Sequence, residues 1–90
     1  MQFAWDAAKA EINMRKHEVS FDVAKTVFGD PLAVTITDPD HSTALEMRFI
    51  TVGLSLTMQL LVVCHTDNWD TIRIISARPA NPHERQDYET

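Results

Sequence analysis

The chain reads as an α+β domain: two N-terminal helices, a four-stranded mainly antiparallel sheet and a short C-terminal helix. Three observations predict this. Apolar residues as far as Phe28 recur at helical spacing, and from Leu32 the pattern changes to runs rich in Val, Ile, Thr and Leu. Near the end, Asn81-Pro82-His83-Glu84 has the form of a capping box with Pro at the first helical position.

Each element has a local cause. Asp6 can cap a helix from Ala7 that ends near His17, with Ala8, Ile12 and the stem of Arg15 sharing one face. Ser20 is a second cap, leading into Phe21–Phe28, where Phe21, Ala24, Val27 and Phe28 form an apolar stripe. Gly29 and Pro31 stop it. Strands are expected at Leu32–Thr37, Met47–Ser55, Gln59–Thr66 and Thr71–Ala77. Short connections make them an antiparallel meander, and Gln2-Phe3-Ala4 is a candidate extra edge strand. The capping box starts a helix that runs through Tyr88.

Composition bounds the function. Ninety residues give one domain, residues 1–90, with a single core. No apolar run approaches the roughly 20 residues that cross a bilayer, and the N-terminus lacks the form of a signal peptide. The expected location is the cytoplasm. The single cysteine, Cys64, lies beside Leu61, Val62 and Val63 and reads as a buried small hydrophobe. A net charge of −5 argues against binding nucleic acid through the overall field, though not against a local basic site. The acid concentrates between Asp30 and Glu46, while Arg73, Arg78 and Arg85 lie near the C-terminus.

The most informative segment is Asp70-Thr71-Ile72-Arg73-Ile74-Ile75-Ser76-Ala77-Arg78. An arginine between isoleucines is expected on a surface at least half buried, where its guanidinium needs an acid, carbonyls or a bound phosphate. Asp67, Asp70 and the acidic stretch could supply a purely structural ion pair. Two further features have open readings. Asp38-Pro39-Asp40-His41 holds metal-ligand residue types but has turn chemistry. Trp69, in the hairpin-tip composition Asp67-Asn68-Trp69-Asp70, either stacks a nucleobase or packs under its loop.

Several blocks together carry a family resemblance. Phe3-Ala4-Trp5-Asp6, Lys9, Asn13, Arg15-Lys16-His17, Val19-Ser20-Phe21, Ala24, Val27-Phe28 and Asp30-Pro31 are similar to the opening of BrnT-type toxins. Arg48-Phe49, Gly53-Leu54-Ser55, Leu61-Val62-Val63, His65-Thr66, Asp70–Arg78, Glu84-Arg85 and Tyr88-Glu89 resemble the remainder, in order and with spacing kept. The resemblance implies a RelE-like fold and a ribonuclease toxin of a type II toxin–antitoxin pair that arrests growth. It also implies neutralisation by a BrnA-type ribbon-helix-helix antitoxin, through which alone the complex would reach operator DNA. A homodimer and a heterotetramer both remain open, and no cofactor is expected.

Metal-independent RNA cleavage needs the 2′-hydroxyl deprotonated, the phosphorane stabilised and the leaving 5′-oxygen protonated. Arg73 and Arg78 are the candidate phosphate and transition-state binders, and His65 is the leading acid–base candidate. Lys16, His17 and Arg85 are secondary RNA-binding candidates, and no metal ligands are assigned. The bland readings stand beside these: a core histidine for His65, complements to a helix dipole for Lys16 and His17, and a solvated helix surface for Arg85. Side-chain alternation would put Arg73 and Arg78 on opposite faces of an unbroken strand. Two departures from the family pattern bear on activity. Pro79-Ala80-Asn81-Pro82-His83 replaces a basic cluster, and Glu18 stands where glycine is usual. They leave open a non-enzymatic module that keeps only partner binding.

Overall fold

The structure, a computed structural model, describes residues 1–90. Its elements are β1 (Gln2–Trp5), α1 (Ala7–His17), α2 (Phe21–Ala24), β2 (Val34–Thr37), β3 (Arg48–Leu54), β4 (Leu60–Asn68), β5 (Thr71–Pro79) and α3 (Pro82–Glu89). A 3₁₀ turn over Lys25–Gly29 continues α2. The strands form one five-stranded sheet in the order β1-β5-β4-β3-β2.

The sheet corrects the expected four-stranded, mainly antiparallel arrangement. Gln2–Trp5 is a true edge strand, and it runs parallel to β5, with Phe3 opposite Ile72 and Trp5 opposite Ile74. The remaining pairings are antiparallel. The chain can leave β1, cross one face as α1 and α2, and only later return to lay β5 beside it, so local meander logic misses this pairing.

The caps form as expected. The Asp6 carboxylate accepts from the Lys9 backbone N–H at 3.0 Å, and the Ser20 hydroxyl accepts from Val23 N–H at 3.1 Å. The Asn81–Glu84 capping box is reciprocal. Glu18 closes α1 in the left-handed region at φ 58°, which explains why glycine suits this position.

The face of α1 differs from expectation. Ala8, Ile12 and Arg15 face solvent, and the buried residue is Asn13. Its amide bonds both backbone groups of Ala77, donating to the carbonyl at 2.8 Å and accepting from the N–H at 3.0 Å. A further donation reaches the Val19 carbonyl at 3.0 Å. β1 ends opposite Ile74, so beyond it β5 has an unpaired edge, and Asn13 stands in for the missing strand there.

The core lies between α1–α2 and one face of the sheet. Phe21, Ala24 and Val27 pack on Leu61, Val63, Ile72, Ile74 and Ala77, with Trp5 edge-on to Phe21 at 5.9 Å. Gly53 permits the close approach of the 3₁₀ turn, because a Cβ there would lie 2.7 Å from Val27 Cγ1. Cys64 points to the other face and is only half buried, which amends its reading as a core residue. That second face is covered in part by α3.

Candidate active site

A β-bulge decides which cations share a face. Cys64 pairs with Ser76 but His65 pairs with Ile74, leaving Ile75 as an extra residue on β5. Inward side chains therefore fall at Ile72, Ile74 and Ala77, all buried. Arg73 and Arg78 consequently share the face away from α1 and α2, where simple alternation had separated them. Five residues of strand still part them by roughly 15 Å, so they cannot grip the same phosphate.

Arg73 is exposed rather than half buried, because its neighbours Ile72 and Ile74 point through the sheet into the core. It makes no ion pair with Asp67, Asp70 or the acidic stretch. Arg48 lies opposite Thr66, which lies opposite Arg73, so two arginines flank a threonine across three strands. Arg48 is partly engaged, with Nε 3.4 Å from the Glu46 carboxylate. Beside Arg73 opens a cleft of about 480 Å³ lined by Glu46, Thr66, Asp67, Asn68 and Thr71 among others. The free guanidinium, the threonine hydroxyls and the Glu46 carboxylate give this cleft the capacity to bind an anion and to accept a proton.

Arg78 is committed elsewhere. Its fork holds the Glu84 carboxylate with two bonds, of 2.7 and 2.8 Å. The pair keeps the Glu84 carboxyl below its ordinary range and raises Arg78 above its own. A second tether joins α3 to the body of the domain, since the Tyr88 hydroxyl donates to Asp30 Oδ2 at 2.5 Å. Asp30 also accepts from the backbone of Leu54 and Leu32. The Leu54 N–H, then Tyr88, hold its carboxyl below the usual value.

His65 lies on the other face of the sheet and is 2% exposed. It therefore does not meet Arg73 or Arg78. Its Nε2 is 2.7 Å from the Thr51 hydroxyl, its Nδ1 has no partner, and Phe28 and Phe49 flank the ring. Burial lowers its pKa, with only partial opposition from the Thr66 backbone and Asp67, so the ring is neutral at pH 7.

The secondary candidates are dispersed. Lys16 and His17 line a small cavity beside Ile75 and Ser76 at the bulge. Arg85 projects from α3 with Glu89 at 3.9 Å. Asp38–His41 is a turn closed by a 2.8 Å bond between their side chains. Trp69 does not pack under its loop; it stands 98% exposed at the β4–β5 tip.

Sequence reasoning passed over three residues. Arg48 carried a signal, since it precedes the alternating Ile50 and Val52 and so belongs to their face. Asn13, an amide three residues from half-buried Ala10, carried a weaker one. The hub role of Asp30 depends on contacts 24 and 58 residues away and left no local mark.

Comparison with known proteins agrees with this architecture. The family described as "Ribonuclease toxin, BrnT, of type II toxin-antitoxin system" matches residues 5–84. Among solved structures, the Brucella abortus ribonuclease toxin BrnT superposes with a TM-score of 0.64 at 20% identity, covering 90% of this chain and 97% of the other. At that identity the likeness concerns the fold. No curated protein matches the chain. With three helices on a five-stranded mixed sheet and a family match across nearly its whole length, the chain belongs to the BrnT ribonuclease toxin family of type II toxin–antitoxin systems.

Proposed function

We propose that this chain is the toxin of a type II pair and cleaves RNA without a metal ion, using the β3–β4–β5 face around Arg73. The observation that carries the reading is Arg73 itself, a permanently charged fork, exposed on a rigid strand and without a protein partner. In this reading it holds the non-bridging oxygens of the scissile phosphate as charge builds on the phosphorane. Arg48 would hold an adjacent phosphate. Glu46 is the carboxylate of this cleft that can take the 2′-hydroxyl proton and, once protonated, return it to the leaving 5′-oxygen, whereas His65 shapes the sheet from behind. Arg78 anchors α3 through Glu84. Lys16, His17 and Arg85 extend the RNA path only as dispersed surface charges.

The partner in this reading is a BrnA-type ribbon-helix-helix antitoxin, which alone would bring operator DNA. All four residues of β2 are exposed, and outward-facing Val34 and Ile36 lie beside Ile50, Val52 and Tyr88 over a cavity of about 280 Å³. An edge strand with an apolar face suits strand addition by such a partner, or pairing with a second copy in a dimer or heterotetramer. No helix is long and apolar enough to cross a membrane. We place the action in the cytoplasm, where RNA is available.

A second reading has its own support. Two of the three nominated catalytic residues, His65 and Arg78, are engaged in holding the fold, which favours a relative that binds antitoxin without cleaving RNA. Incubating the purified chain with a structured RNA in EDTA at low salt separates the two. Cleavage supports the ribonuclease reading and its independence of metal. Intact RNA, with tight antitoxin binding by the same preparation, supports the other.

A further inference from the structure

Trp69 is the most exposed aromatic side chain, and its position is costly. Asn68 pairs with Thr71, so Trp69 and Asp70 form a two-residue hairpin turn, and Trp69 takes the first place with φ 59°. Glycine fills such a place without strain, whereas a bulky residue there is an outlier. The indole recovers nothing from packing, since it is 98% in water. Neither the fold nor the turn gains from a tryptophan at this site.

Its surroundings point to a ligand. Asn68 and Thr71, on either side of the turn, both line the cleft that holds unpaired Arg73. Arg73 is four residues along the strand, at most about 13 Å away. We infer that Trp69 is a stacking platform for an unpaired RNA base next to the phosphate held by Arg73. The inference rests on the ribonuclease reading of that cleft.

The charges at the tip fit a base better than a backbone. Asp67 and Asp70 lie within two residues of Trp69 in the chain, and their charge repels phosphates, which keeps the sugar–phosphate chain toward Arg73 and Arg48. The same carboxylates can accept hydrogen bonds from exocyclic amino groups on a base edge. A protein partner would instead favour an aromatic residue ringed by apolar or neutral contacts that exclude water. The immediate neighbours of Trp69 in the chain are Asn68 and Asp70.

The test uses a short unstructured RNA whose 2′-hydroxyls are replaced by hydrogens at the cleavage sites, with affinity read by fluorescence anisotropy. Trp69→Ala should weaken binding about tenfold, and Trp69→Phe should recover most of the loss. The melting temperatures of Trp69→Ala and Trp69→Gly should equal or exceed that of the wild type, which a structural role for the indole would not allow. RNA should also quench the emission of exposed Trp69 while leaving that of half-buried Trp5 intact. Affinity unchanged in Trp69→Ala, while wild type cleaves RNA, overturns the platform and spares the ribonuclease reading. Unchanged RNA affinity with lost antitoxin binding reassigns Trp69 to the protein interface. Failure of the wild type to bind RNA at all overturns both.

Discussion

At the scale of single residues, burial separates side chains that look alike in sequence. His65 and Arg73 are polar residues within apolar strands, yet one is sealed against Phe28, Phe49 and Thr51 and the other stands in solvent. The buried ring makes stability depend on pH. Its folded pKa lies below the unfolded value near 6.5. The unfolded chain therefore takes up the proton first, and stability should fall as pH drops through 6.5 until the folded ring titrates too. Chemical denaturation between pH 7.5 and 5 should show this slope, and a folded His65→Phe variant should lose most of it. The difference between the two residues was partly legible. Period-two alternation correctly places His65 with Leu61 and Val63, but the same rule fails across β5 because the bulge at Ile75 resets the parity.

At the scale of elements, the joints are made by polar side chains. Asn13 joins α1 to the unpaired end of β5, and Asp30, Tyr88, Arg78 and Glu84 join α3 to the body. Removing the Asn13 amide strands both backbone groups of Ala77 in a buried place. Asn13→Ala should cost roughly 2–4 kcal/mol. In a domain of this size the melting temperature should fall by about 10–25 °C. Calorimetry checks it, and a loss below 1 kcal/mol would deny Asn13 the role of a substitute strand. Helices and caps were legible because Asp6, Ser20 and the Asn81–Glu84 box act within one turn. The parallel pairing of β1 was not, because its partner is about seventy residues away and only the packing of α1 and α2 between them selects it.

At the scale of the whole molecule, charge and cover assign the faces. The chain carries 8 Lys and Arg against 13 Asp and Glu, so any RNA must be drawn to a local site, not to the general field. The arginines on that face are few: Arg73 is free, Arg48 is partly paired, and Arg78 is distant and occupied by Glu84. Affinity should accordingly depend only modestly on salt. The sheet is closed on one side by α1 and α2, and on the other it leaves a polar cleft at one end and an apolar edge at β2. The proposed function uses that division, with RNA in the cleft and the antitoxin at the β2 edge. Arg73 was legible in the sequence as a candidate, from the strand that carries it. Which residues share its face was not legible, because faces and partners depend on the bulge and on α3.

In the proposed function Arg73 acts on the scissile phosphate. The most direct measurement is single-turnover cleavage of RNA in EDTA by wild type and by Arg73→Ala, with Arg78→Ala beside them and the folding of each checked by thermal melting. Arg73→Ala should melt within a degree or two of wild type, since the side chain is exposed and unpaired, while its cleavage rate falls at least a hundredfold, about 2.7 kcal/mol or more of transition-state stabilisation. Arg78→Ala should instead lose stability by releasing α3. Cleavage by folded Arg73→Ala at the wild-type rate would remove Arg73 from the chemistry and move the active site away from this face.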